Sequence, residues 1–412
     1  MEFYDLNSYR VYLQTFNDSS DYTGDWVQVT RDVKSLGNTG VQIDSSDYDV
    51  GVYQSSNLSI KLNNRSGKYN DVQFTESIFN FQRKNTLVKL TYRVNEYGPE
   101  CGVVTLPFKC GTEVTLYKGL LKDDSFRTDA KQEDGNFKIL GLESILDNVL
   151  VNYASLNIGD TVEEILYTIL NQTAITNLLT VSAANINAGL DQATDAIEDL
   201  EGNTVREAVD ELLRVSNSIL YINSDDEIII AARTASTASQ KTFYGQASAD
   251  GAEDVVDIKS YNNGIHRVFN YFQWTDTTIN KNDTISITNN GLQKKVIDSG
   301  LFTNQTKREN FLDALLAEFK DKKIEMSIIV PLDYNTIALN LLDKINIDYP
   351  VPVFAEPGDA LPILGIAILG DTATPLPIAQ WSLEISTVDD FKILKKNYNF
   401  KKHLVTLKIR EV

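Results

Sequence analysis

Residues 296–349 carry the pattern that most narrows the folds open to this chain, because one amphipathic helical stretch is held there between segments of two-residue alternation. Phe311, Leu312, Leu315, Leu316 and Phe319 recur at the spacing that gathers onto one helical face. That face must be covered. Thr306-Lys307-Arg308-Glu309 puts a hydroxyl at the start and a carboxylate three residues on, which predicts a capping box with Thr306 as N-cap. Lys320, Lys322 and Lys323 follow where the helix dipole favours cations. Ile324, Met326, Ile328 and Val330 then alternate as in a half-buried strand until Pro331 stops the ladder. Nothing in the segment has the pattern of a catalytic group, so it points to building and not to chemistry.

At 412 residues the chain is too long for one ordinary core, and two or three domains are expected. No stretch approaches the roughly 20 apolar residues that a membrane-spanning helix needs, so no membrane span is expected. The longest candidate, Leu361–Gly370, is short and hemmed in by prolines. Met1-Glu2-Phe3-Tyr4-Asp5 lacks the basic region and apolar run of a secretory signal, so export by that route is not expected. A net charge of −19 argues against a protein that grips phosphate backbones and for one that repels them. The charge is unevenly placed. From Phe391 to Val412 there are seven Lys or Arg (392, 395, 396, 401, 402, 408, 410) against Glu411 alone, leaving +6 there and −25 on the rest. Such an end either docks onto an acidic neighbour, another copy included, or forms a solvated strand face. Cys101 and Cys110 flank Pro107 and are expected as two reduced thiols in a hairpin.

Residues 1–148 read as a β-rich unit, with strands at Trp26–Val33, at Leu58, Ile60 and Leu62, and at Val88, Leu90, Tyr92 and Val94. Leu116, Tyr117, Gly119 and Leu121 begin another, its glycine suggesting a bulge or the close approach of another backbone, with Phe137, Ile139 and Gly141 as antiparallel partner. Short strands with frequent turns favour a barrel or sandwich. Over 149–236 the period changes. Asp160 with Glu163 and Thr204 with Glu207 are cap-like starts, each followed by an apolar helical face. Ser218–Ile222, Asn223-Ser224-Asp225-Asp226 and Glu227–Ala231 then predict a hairpin, completing a small α+β domain. Residues 177–203 read as part helix, part loop. The third unit, 237–412, has strands near Val255–Ser260, Arg267–Trp274 and Thr284–Thr288, then the amphipathic helix and a closing strand pair. Pro350, Pro352, Pro357, Pro362, Pro375 and Pro377 predict extended, ladder-poor backbone before Trp381. Val405, Leu407 and Ile409 alternate with Thr406, Lys408 and Arg410, giving the last strand one buried and one basic face.

Chemistry is sparse. His266 and His403 are the only neutral-pH acid–base groups, and neither has the spacing of an HExxH or CxxC metal site. No phosphate-cradling glycine loop and no Gly-x-Ser-x-Gly elbow is present. Glu163-Glu164 and Asp225-Asp226 read as a helix start and a hairpin turn before they read as a catalytic carboxylate pair. Asp25, Asp225, Asp226 and Glu227 lack the alternation of a calcium loop. The expectation is a non-enzyme with no catalytic, cofactor-binding or metal site and no cofactor.

In order and spacing the elements resemble the tail hub proteins of tailed bacteriophages, the family that includes baseplate hubs. Trp26-Val27-Gln28-Val29-Thr30-Arg31-Asp32-Val33, Leu58-Ser59-Ile60-Lys61-Leu62-Asn63-Asn64 and Tyr117-Lys118-Gly119-Leu120-Leu121 look like the opening strands of the hub's first barrel. The Thr204–Leu213 helix with its hairpin looks like the small inserted domain. Tyr261–Ile347 carries the third match, through Arg267–Trp274, Asn282-Asp283-Thr284-Ile285-Ser286-Ile287, Val296-Ile297-Asp298, the helix and its strands. Hub relatives usually carry a Gly-Asp turn before the strand near Ile345, where this chain has Leu342-Asp343-Lys344.

The resemblance implies a mainly β protein with an α+β insertion, two tube-type β-barrels plus a small helix-and-hairpin domain. It implies a structural virion protein at the tail tip or baseplate, made in the host cytoplasm, whose homotrimer continues the tail tube for genome ejection. Partners implied are the chain itself, a distal tail or tail tube ring, the tape measure protein, tail fibre or spike proteins, and DNA passing without specific binding. An acidic body suits such a conduit, since a repelling lumen lets DNA slide. Two other classes fit less of the chain: a hexameric distal tail adaptor ring, and a carbohydrate-binding adhesin module.

Overall fold

The computed structural model describes residues 8–17, 24–43, 50–69, 77–79, 86–93, 113–122, 127–128, 133–234, 238–245, 255–275, 277–348 and 390–412. Cys101, Cys110, the six prolines before Trp381 and the Leu361–Gly370 run lie outside them.

Two eight-stranded sheets carry a mainly β fold. The N-terminal sheet runs Asp25–Gln28, Tyr9–Thr15, Leu87–Arg93, Glu113–Leu121, Asp134–Gly141, Leu58–Asn63, Val33–Leu36, with Arg127–Thr128 beside Asp134–Gly141. The C-terminal sheet runs Ser239–Tyr244, Lys344–Asp348, Asp390–Asn399, Leu404–Glu411, Glu325–Pro331, Asp257–Asn262, and takes in Thr39–Gln42 beside Asp390–Asn399, with Gln54–Ser55 in turn beside Thr39–Gln42. Among the described residues no closed barrel is found; two eight-stranded sheets occupy the segments where the barrels are expected. Alternation built them as the sequence predicts. Leu58, Ile60 and Leu62 are buried while Ser59 and Asn63 are exposed, and Ile60 lies opposite Phe137 on the neighbouring strand.

Both large sheets feed one hydrophobic core, in which Leu58, Ile60 and Phe137 of the first share a cluster with Ile328, Ile345 and Val405 of the second. A second core gathers the helices Val162–Leu170, Val205–Val215 and Gln305–Phe319, the Ser218–Ile222/Ile228–Ala232 hairpin and a three-stranded sheet of Asn280–Asn282, Tyr271–Trp274 and Lys294–Ile297. The N-terminal segment reaches into every part. Thr39–Gln42 pairs with Lys395–Tyr398, and Gly51–Val52 adds a parallel strand to the hairpin.

Gly119 marks a close backbone approach, as its place in an alternating strand suggested. A Cβ there would sit 2.2 Å from the Leu140 carbonyl oxygen and 2.6 Å from Ile139 Cγ2. Backbone cannot yield as a side-chain tip can, so Gly119→Ala is expected to cost about 1–3 kcal/mol, read as a lower urea midpoint.

Several local expectations are corrected. Trp26–Val33 is two short strands parted by a 3-10 turn at Thr30–Asp32, because the Thr30 hydroxyl accepts the Val11 amide and breaks the ladder. Thr284–Thr288 is not a strand but the start of the helix Thr284–Asn290, capped by Asp283 accepting from Ser286 N at 2.8 Å and ended by Gly291 at φ 76°. The long helix begins at Gln305 with Asn304 as N-cap, whose side chain accepts from Thr306 and Lys307, while Glu309 bonds Gln305. The first inserted helix has its capping box one residue later than expected, at Thr161 and Glu164, and Glu163 accepts from Ala188 N instead. The Thr204/Glu207 box forms as read. Residues 177–203 hold no longer helix than two 3-10 turns, Ala183–Asn185 and Glu198–Leu200.

Leu342 explains the missing glycine. It adopts φ 66°, the left-handed conformation that a Gly-Asp turn would accept freely, and it does so with its side chain 5% exposed in the main core. Strain of about 1–2 kcal/mol is set against burial worth more. Leu342→Gly is therefore expected to destabilise by about 1–3 kcal/mol despite relieving the backbone, measurable by thermal or urea unfolding.

Candidate functional site

The basic C-terminal end is spent largely inside the molecule. Lys392 stands in the strand Asp390–Asn399 among the buried residues Phe391, Ile393 and Leu394, and Arg410 lies on the paired strand; each is 1% exposed. Both point beneath the Gln305–Phe319 helix. Glu318, on that helix, takes Lys392 Nζ at 2.8 Å and Lys323 Nζ at 3.0 Å, with Arg410 Nη1 at 3.8 Å. Glu325, on the next strand, takes Arg267 Nη1 at 3.0 Å, Lys408 Nζ at 3.6 Å and Arg410 Nε at 3.9 Å. Two carboxylates thus tie a helix, three strands and the Ile265–Arg267 turn together.

The electrostatics follow from that geometry. Burial alone would raise the Glu318 carboxyl, but Lys392, Arg233 and Lys323 outweigh it and hold the group far below the usual carboxylate range. Lys392 is more deeply buried and lies beside Arg233, so burial brings it down to about 8 in spite of Glu318. Aromatic rings close the cluster: Arg233 and Arg410 lie 4.8 and 5.2 Å from the Phe319 ring centre. The reading of this end as a docking patch or a solvated face therefore fails for Lys392, Lys396 and Arg410. A lysine inside an otherwise apolar run, Phe391-Lys392-Ile393-Leu394, was the signal for it.

The residues singled out for chemistry are held apart and in local roles. His266 is half exposed, its Nε2 3.9 Å from Glu325, and His403 stacks on Tyr9 with Nδ1 3.0 Å from the Tyr9 hydroxyl. Asp226 pairs with Lys118, the Asp225 and Glu227 amides donate to the Asn223 side-chain oxygen that caps the hairpin turn, and Asp25 sits on a sheet edge. Among the described residues no cluster of His, Cys, Asp or Glu is arranged to hold a metal ion. No helix among them is long and apolar enough to cross a membrane.

Unlike the interior, the sheet edges are open. Asp25–Gln28 borders the N-terminal sheet with three of its four side chains exposed, among them Trp26, whose ring is covered by Lys89 Nζ at 4.6 Å. Asp257–Asn262 borders the C-terminal sheet and is exposed throughout except at Ile258, with Val256, Tyr261 and Ile265 adding apolar surface. Among the described residues no strand lies beyond either. Exposed apolar edges of this kind are templates for pairing with another chain.

No protein-family model matches the sequence, and no curated protein sequence matches it. The fold is nevertheless shared nearly end to end with solved structures. A tail protein from Neisseria meningitidis MC58 superposes with a TM-score of 0.55 at 9% identity, covering 98% of this chain and 96% of that one. The 43 kDa tail protein of prophage MuSo2 from Shewanella oneidensis gives 0.52 at 11% identity, covering 98% and 96%. The prophage tail protein gp18 from Listeria monocytogenes EGD-e gives 0.50 at 10% identity, covering 97% and 94%. At these identities the likeness is one of fold.

Proposed function

We propose that this chain is a structural hub at the tip of a phage-type tail, three copies closing a ring that continues the tail tube and lets DNA pass. The observation that carries the reading is the fold shared over 98% of the chain with a tail protein. Two further features support it. Each chain supplies two eight-stranded sheets on one core, so three chains bring six, and each sheet is then the subunit's share of a tube-type barrel. The exposed edges Asp25–Gln28 and Asp257–Asn262 are the surfaces such a ring would cover. The net charge of −19 suits a lumen that DNA slides through.

In this reading residues 1–148 and 237–412 are the ring-forming units and 149–236 the inserted domain. A distal tail or tail tube ring, the tape measure protein and fibre or spike proteins are the neighbours, and the chain resides in the virion tail tip. Class averages of the purified assembly in the electron microscope test this. Threefold particles with a central opening are the expected result; sixfold particles would favour the distal adaptor ring, and isolated particles with glycan affinity the adhesin module.

A further inference from the structure

We propose that the cavity where the two large sheets meet the hairpin binds a small organic monocarboxylate on the ammonium of Lys396. The cavity has a volume of about 140 Å³ and is walled by strand residues of both sheets and by the hairpin turn. Lys396 reaches it from the strand Asp390–Asn399 with 3% of its surface exposed. Its Nζ donates to the carbonyls of Ile337, at 3.0 Å, and Leu339, at 2.5 Å, around the end of the short helix Tyr334–Ala338. The Tyr398 ring centre lies 5.5 Å away. An ammonium has three donors, and two are used. Among the described residues no carboxylate stands within ion-pair distance, in contrast to Lys392 four residues earlier on the same strand, which has Glu318.

Burying a charge whose direct hydrogen-bond partners are carbonyl dipoles is costly, and an anion delivered to the remaining donor offsets it. The walls choose the kind of anion. Asp226, paired with Lys118, already lies on the rim, and the half-buried Asp343 is close enough to feel Lys396. A second negative charge on the ligand would be repelled, which disfavours phosphate esters and dicarboxylates. Tyr53, Tyr117, Tyr398 and Leu339 offer mostly apolar wall, so the body behind the carboxylate should be apolar or aromatic. The volume fits a ligand the size of about four or five waters, at roughly 30 Å³ each. The site is independent of the ring assembly proposed above.

The test is calorimetric titration of the full-length chain with benzoate and with benzamide, its neutral isostere. Saturable benzoate binding at least about tenfold tighter than benzamide is expected, and Lys396→Met should lose it by at least the same factor. No benzoate binding, equal binding of the two probes, or unchanged binding by the variant would overturn the proposal. Should Lys396→Met fail to fold, the benzoate–benzamide comparison on the unaltered protein decides alone.

Discussion

Glu318→Ala is expected to destabilise the chain by about 3–5 kcal/mol, because it leaves Lys392 buried at 1% exposure with the carboxylate that pairs it gone. The pair as a whole contributes far less than that figure, since a well-packed apolar pair of the same volume would do nearly as well. The loss comes from the orphaned charge. Urea unfolding measures it, and the double variant Glu318→Ala with Lys392→Met should recover much of the deficit. A single variant within about 0.5 kcal/mol of the parent would mean that the cluster does not hold the helix to the sheet.

The same carboxylate sets an acid limb. Its folded value lies below the unfolded 4.5, so its contribution is complete above about pH 4.5 and is lost as pH falls through the folded value. Glu318→Gln should therefore flatten the fall in stability below pH 4.5, followed as urea midpoint against pH.

The second large effect is expected at Phe319, fully buried and packed edge-on to Phe269 at 6.3 Å. Phe319→Ala should cost about 3–5 kcal/mol from lost burial and cavity alone. It also strips Arg233 and Arg410 of the ring that both face. Phe319→Leu, which refills much of the volume, separates the two contributions: a cost near that of alanine would assign the greater share to the cation–ring contacts.

How far the fold could be read beforehand depends on how local its causes are. Leu58, Ile60 and Leu62 alternate because one face of that strand is buried, and Thr204 with Glu207 caps a helix within four residues; both are visible in any short window. Thr284–Asn290 misled because Thr284, Ile285 and Ile287 are β-branched, while the Asp283 cap and the Gly291 stop outweighed that preference. Thr39–Gln42 is harder still. Four residues pair with a strand near the other end of the chain, and Gly40 is needed because a Cβ would meet the Lys396 carbonyl at 2.3 Å. The ion cluster was only half legible for the same reason: Lys392 stands out inside an apolar run, but Glu318 becomes its partner only when the helix is laid on the sheet. Leu342 is the converse case, a departure legible in sequence whose meaning needed its φ of 66°.

Sedimentation equilibrium of the purified full-length chain at low micromolar concentration tests the ring most directly. The account expects a single species of three times the 46.1 kDa chain mass, persisting on dilution. A stable 46.1 kDa monomer at every concentration would contradict it.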